Sequence, residues 1–150
     1  KKEVSREMAR LGFIDGKRSG CSHGIIAGGI RTPAVDAPIR LSSRIDVPRP
    51  FTPLEPGKQL VGGVAWAQGN EGVEGVEVQV DGGPWQPARL GPDAGSVYWR
   101  QWHFTWEATS GAHTLSVRAI GSDGTAQDEA RRTPFPSGSS GIQRLAVTVD

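Results

Sequence analysis

Cys21 and His23 stand two residues apart in DGKRSGCSHGIIAGG (15–29). A thiol beside an imidazole is the seed of either a cysteine nucleophile or a zinc site. Neither is completed: zinc needs further ligands, and a Cys–His nucleophile needs a third residue to orient the imidazole and donors for an oxyanion. The surrounding glycines (Gly16, Gly20, Gly24, Gly28, Gly29) follow neither the G-x-x-x-x-G-K-[ST] nor the G-x-G-x-x-G spacing of a phosphate loop. Carboxylates gather at Glu71/Glu74/Glu77 and at Asp128/Glu129, which a solvated strand edge and a loop explain more simply than acid–base chemistry. His23, His103 and His113 are far apart in sequence, and none has a visible partner. The sequence therefore predicts no catalytic, cofactor-binding or metal-binding residue in this chain. Trp66, Trp85, Trp99, Trp102 and Trp106 are different. Their area and flat π faces suit a core, a subunit interface or a stacking platform for a sugar or aromatic ligand.

The elements that position the tryptophans are strands. From Gln59 to Leu90 three strand signals follow one another, reading as a β-meander: Val61, Gly63 and Ala65 alternate with Leu60, Gly62, Val64 and Trp66, and Val76, Val78 and Val80 alternate with Glu77, Gln79 and Asp81. Asp81-Gly82-Gly83-Pro84 makes a tight turn before Trp85 opens a short strand. Upstream, Ile39 to Val47 is a candidate first strand, ended by Pro48, Pro50 and Pro53. Downstream, VYWRQWHFTWEA (97–108) places Tyr98, Trp102, Phe104 and Trp106 on one side and Trp99, Gln101, His103 and Thr105 on the other, so both faces are partly apolar. Leu115, Val117 and Ala119 mark the next strand, and Leu145, Val147 and Val149 the last. The polar stretch Ala126 to Ser140 is expected to cross between sheets. Only Val4, Met8 and Leu11 suggest a helix, closed by Gly12. The pattern predicts an all-β, two-sheet immunoglobulin-like sandwich of about seven strands, with a short N-terminal helix and a loop-rich appendage.

Glycine and proline together supply 32 of the 150 residues, ordinary for a loop-rich β protein. A net charge of +1 argues against a nucleic-acid partner. Residues 1–50 carry 10 Lys and Arg against 5 Asp and Glu, whereas residues 51–150 carry 7 against 11. That reversal marks the first 36 residues as a segment apart from the sandwich. One cysteine permits no internal disulfide, and no run of residues is long and apolar enough for a membrane span.

VGGVAW (61–66), VEVQVDGGPWQPARL (76–90), WHFTW (102–106) and HTLSVRA (113–119), preceded by SRIDVPRP (43–50), resemble the C-terminal dimerisation domain of the sulfite oxidase family of molybdenum-cofactor oxidoreductases. The likeness covers roughly residues 37–150. It implies an immunoglobulin-like domain that joins two enzyme copies into a homodimer and contacts a molybdopterin-binding catalytic domain. Residues 1–36 would then be a remnant of, or substitute for, the region preceding the sandwich. The family's metal-ligating cysteine cannot be carried over to Cys21, whose Ser-Gly-Cys-Ser-His surroundings differ, so the molybdenum cofactor is implied for the parent enzyme and not for this chain. Gly121 also departs from the acidic residue frequent there.

Three functions follow from these readings. The first is a dimerisation domain of a sulfite-oxidase-like enzyme, with Trp66 and Trp99 as the candidate interface because Trp102, Phe104 and Trp106 suffice for the core. The second is a stand-alone immunoglobulin-like binding module whose Trp66, Trp85 and Trp99 form a ligand platform. The third, an enzyme in its own right, has only the weak carboxylate clusters to stand on.

Overall fold

Val61 and Ala65, Val76 and Val78, Leu115, Val117 and Ala119, and Leu145, Val147 and Val149 are all buried, and within each set the spacing is an even number of residues. That is the period of a strand with one face in a core. A computed structural model describes residues 24–25, 31–32, 40–68, 72–95, 97–133 and 139–150. It divides into two units, Lys1–Ile39 with Arg132–Ser139, and Arg40–Arg131 with Ser140–Asp150. In the first unit, β1 (Gly24–Ile25) pairs antiparallel with β2 (Arg31–Thr32). The expected helix at Val4–Leu11, and Cys21 and His23, lie outside the described residues.

The second unit is an immunoglobulin-like sandwich. Its strands are β3 (Ser42–Val47), β4 (Gly57–Trp66), β5 (Val73–Val80), β6 (Gln86–Pro87), β7 (Arg89–Leu90), β8 (Arg100–Ala108), β9 (Gly111–Gly121) and β10 (Gln143–Val149). One sheet has the order β3-β4-β8-β7 and the other β10-β9-β5-β6, with antiparallel neighbours throughout. This is the A-B-E-D and G-F-C arrangement of immunoglobulin domains with a short added edge strand. Trp102 and Trp106 fill the space between the sheets, with Phe104 packed against them. The buried indole N–H of Trp102 has no acceptor among the described residues.

Three sequence expectations are corrected. Residues 59–90 are not a meander, because β4 and β5 belong to different sheets and the chain changes sheet again between β6 and β7. Pro87 has no N–H to extend β6, and Ala88 donates to Val76 O at 2.8 Å before the chain turns to β8. The stretch 126–140 does not cross between sheets, since β9 and β10 are neighbours in one sheet. Tyr98 is not in the aromatic strand, which begins at Arg100; Tyr98 is exposed in the preceding turn, where its N–H reaches Gly95 O at 3.0 Å.

Two turns set local geometry. Asp81 (φ 51°) and Gly82 (φ 71°) form a type I′ turn closed by Gly83 N to Val80 O at 2.9 Å, matching the strand twist. In Arg49–Thr52 the Thr52 N–H reaches Arg49 O at 3.3 Å and Phe51 has φ 62°, the third position of a type II turn, where glycine is the ordinary residue. A left-handed phenylalanine there costs about 1–2 kcal/mol. Beyond it the chain is pinned: Leu54 N donates to Thr148 O, and Asp150 N to Leu54 O, both at 3.0 Å.

The edge strand β3 is tied to the opposite sheet by side chains. Where β10 stops, Gln127 takes over the edge of β9: its N–H donates to Ala119 O at 2.8 Å, and its Oε1 accepts from Ala119 N at 3.1 Å and from Ser43 Oγ at 2.6 Å. Its Nε2 donates to Gly141 O at 2.9 Å. Gln143 Oε1 accepts from Ile45 N at 2.7 Å, next to the bulge between Ile45 and Val47. Gly63 allows that close approach, because a Cβ there would collide with the Arg44 carbonyl oxygen.

Candidate interaction face

With Val61 and Ala65 inward, alternation turns Leu60, Gly62, Val64 and Trp66 of β4 to the outer side of their sheet. The strand is thus apolar on both faces. Antiparallel pairing sets Gly62 opposite His103 and Val64 opposite Gln101, so β8 supplies the polar flank of this strip. Leu60 is 56% exposed, Val47 49% and Trp99 48%. Gly62 leaves a floor without a side chain. Around it Asp46, Val47, Leu60, Val64, Gln101 and His103 line a shallow depression of about 370 Å³.

Trp66 and Trp99, the candidate interface residues, come together at one end of the strip. Their ring centroids are 5.1 Å apart with planes inclined by 37°, within the range of favourable aromatic pairs. The Arg44 guanidinium lies 5.8 Å from the Trp99 centroid, a cation–π distance. Asp46 orients that guanidinium through Arg44 Nε at 2.7 Å. Trp99 is placed by the turn before β8, and Trp66 by the last position of β4 opposite Ser42.

Trp85 does not join them. It packs against Arg118 of the other sheet, whose guanidinium is 4.3 Å from its ring centroid. Arg118 Nε also meets Glu77 at 2.7 Å, and Glu129 lies 3.8 Å from both Arg118 and Arg144. Glu77 and Glu129, members of the two carboxylate clusters, are therefore ion-paired; Glu71 lies outside the described residues. His103 is exposed beside the depression. His113 has the partners the sequence did not reveal: Nδ1 is 2.6 Å from Asp81 Oδ2 and Nε2 is 2.7 Å from Thr109 O. With acceptors at both nitrogens the imidazolium is favoured. The bond to Asp81, then that to Thr109, raises the His113 pKa. The same bond from His113, then the Thr114 N–H, lowers that of Asp81. Trp106 meets the imidazole edge-on at 5.0 Å, making the pair part of the sandwich end rather than an open site.

No family model matches the chain. It is 30% identical to the sulfite oxidase of Gallus gallus over 106 residues, which are 67% of this chain and 23% of that protein. The chain belongs to the sulfite oxidase family. The sulfane dehydrogenase SoxCD from Paracoccus pantotrophus superposes on 73% of the chain with a TM-score of 0.60 and 25% identity. There too the match takes up a minor share, 30% of that chain. The likeness is that of a domain related to the molybdenum-cofactor oxidoreductases, and the chain spans less than a third of the length of either protein. The described residues do not fit the cofactor itself: they include no cysteine, and nowhere do three His, Cys, Asp or Glu side chains converge on a metal position. No helix among them is long and apolar enough to cross a membrane.

Proposed function

We propose that residues 37–150 pair with a second copy of themselves through the outer face of the β3-β4-β8-β7 sheet. The pairing joins two copies of a molybdenum-cofactor oxidoreductase whose chemistry is done outside this chain, with the molybdopterin-binding domain as the second partner. Residues 1–36 belong to what precedes the sandwich. The reading is carried by the Trp66–Trp99 contact at the head of an apolar strip on the solvent side of a family sandwich. Val47, Leu60, Val97, Tyr98 and Trp99, with the aromatics taken at about 150–250 Å² each and the aliphatics somewhat less, leave on the order of 500 Å² of side chain exposed. That lies in the upper part of the roughly 300–600 Å² of a typical monomer's largest patch, which is often functional, and is short of the roughly 800 Å² per partner of a standard interface.

A two-fold contact would bury the strip once in each subunit. The ligand-platform reading is weaker, because Trp85 stands on the other sheet and Arg44 lies over the Trp99 ring. Sedimentation equilibrium of the 150-residue chain is the test. The wild type is expected to dimerise, and Trp66→Ala/Trp99→Ala to sediment as a folded monomer, its dissociation constant raised by at least about thirtyfold, as for one hot-spot residue. A native chain that stays monomeric at high concentration refutes the reading.

A further inference from the structure

Phe51 has no role in the sandwich. Its side chain is completely exposed, and it occupies the third position of a type II turn, where glycine would be free of strain and any larger residue is not. Pro50 and Pro53 flank it, and the hydrogen bonds of Leu54 to the end of β10 hold the turn's exit. A loop braced in this way does not fold its tip back onto the protein. An apolar ring kept in water at an unfavourable backbone conformation is an outlier of the kind that points to function, here to a contact beyond the described sandwich.

We infer that Phe51 is a docking knob whose socket is the Gly62 depression of a second copy. This rests on the dimer proposed above and specifies its contact. The socket is apolar on the side formed by Val47, Leu60 and Val64, has a glycine floor, and at about 370 Å³ has room for an aromatic side chain. Knob and socket are neighbours in the chain, for Val47 lines the depression and Phe51 follows four residues later. In a two-fold pair each copy presents both, so the exchange is reciprocal and the contact is made twice. Area favours the same occupant. The strip alone falls short of a standard interface, and a fully exposed phenylalanine and its turn bring it to on the order of 700 Å² per subunit.

Phe51→Gly removes the ring and the strain together, so the two properties move in opposite directions. Measured below the dimer dissociation constant, where association adds nothing to stability, the 150-residue variant is expected to keep or raise its denaturation midpoint, while that dissociation constant rises at least tenfold. Leu60→Ala completes the test as a double-mutant cycle. Alone it weakens the dimer about tenfold; in the Phe51→Gly background it weakens it less than threefold. A wild-type dimer that Phe51→Gly leaves intact, while Trp66→Ala/Trp99→Ala dissociates it, overturns the knob and leaves the dimer reading standing. Additive effects of Phe51→Gly and Leu60→Ala overturn the socket. A monomeric wild type overturns both.

Discussion

Gln127→Leu tests how the edge strand that carries Arg44, Asp46 and Val47 is held in place. Leucine conserves most of the volume but none of the three side-chain hydrogen bonds. Ser43 Oγ retains an acceptor, since Val117 O is 3.2 Å away. The Ala119 N–H and the Gly141 carbonyl lose theirs; Ala119 is buried, so water cannot readily replace its acceptor, whereas Gly141 is half-buried. The unpaired buried Ala119 N–H costs about 1–3 kcal/mol and the half-buried Gly141 carbonyl about 1 kcal/mol more, which the apolar gain of leucine, about 1 kcal/mol, offsets, leaving a net loss of about 1–3 kcal/mol. Urea denaturation followed by tryptophan fluorescence should show a lower midpoint with an unchanged slope, because the surface exposed on unfolding is the same. Ser43→Ala should cost less, about 1 kcal/mol, and the double variant less than the sum. A Gln127→Leu loss below about 0.5 kcal/mol would refute the view that this amide ties β3 to the opposite sheet.

Gly63→Ala forces a Cβ into the Arg44 carbonyl, and is expected to lower stability by about 3 kcal/mol in the same urea assay; an unchanged midpoint would contradict the close approach of β3 and β4. His113→Gln should remove a contribution that depends on pH. The raised His113 pKa makes it fully present below the ordinary 6.5, and it fades as pH rises through the folded-state value; the lowered Asp81 pKa makes it fade again as acid is added below the ordinary 3.8. Wild type and variant should therefore differ most near about pH 5, by roughly 1 kcal/mol given the exposure of Asp81, and converge by about pH 9; equal gaps at both would exclude the charged pair. Removing residues 1–36 should leave the unfolding midpoint of the sandwich unchanged, and loss of cooperative unfolding would move the boundary.

The strands were legible because period-two alternation survives wherever one face is buried: the inward valines of β5, β9 and β10 are the ones the pattern picks out. Sheet membership was not. Alternation is a local property, and a loop that changes sheet looks like one that closes a hairpin, which is why β4 and β5 read as a meander. Pro87 was the available signal for the switch near β6, being a residue that cannot extend a ladder. The pairing of Trp66 with Trp99 was half legible: an excess of apolar residues over one core face was visible, but the turn that swings Trp99 onto β4 is not encoded in either strand. Leu60, Gly62 and Val64 carry a further signal in the sequence, since a strand apolar at both odd and even positions has a second face to bury. His113 lies on β9 and Asp81 in the turn that ends β5, so only the β5–β9 register brings them together.

The most direct test of the dimer face is hydroxyl-radical footprinting of the full chain across its concentration range, read residue by residue. The account predicts that Trp99, Tyr98, Leu60 and Phe51 lose reactivity as concentration rises, while Trp85, packed with Arg118 on the other sheet, keeps the same rate throughout. Protection of Trp85 with no change at Trp99 and Leu60, in a chain shown to associate, would place the contact on the opposite face and contradict the account.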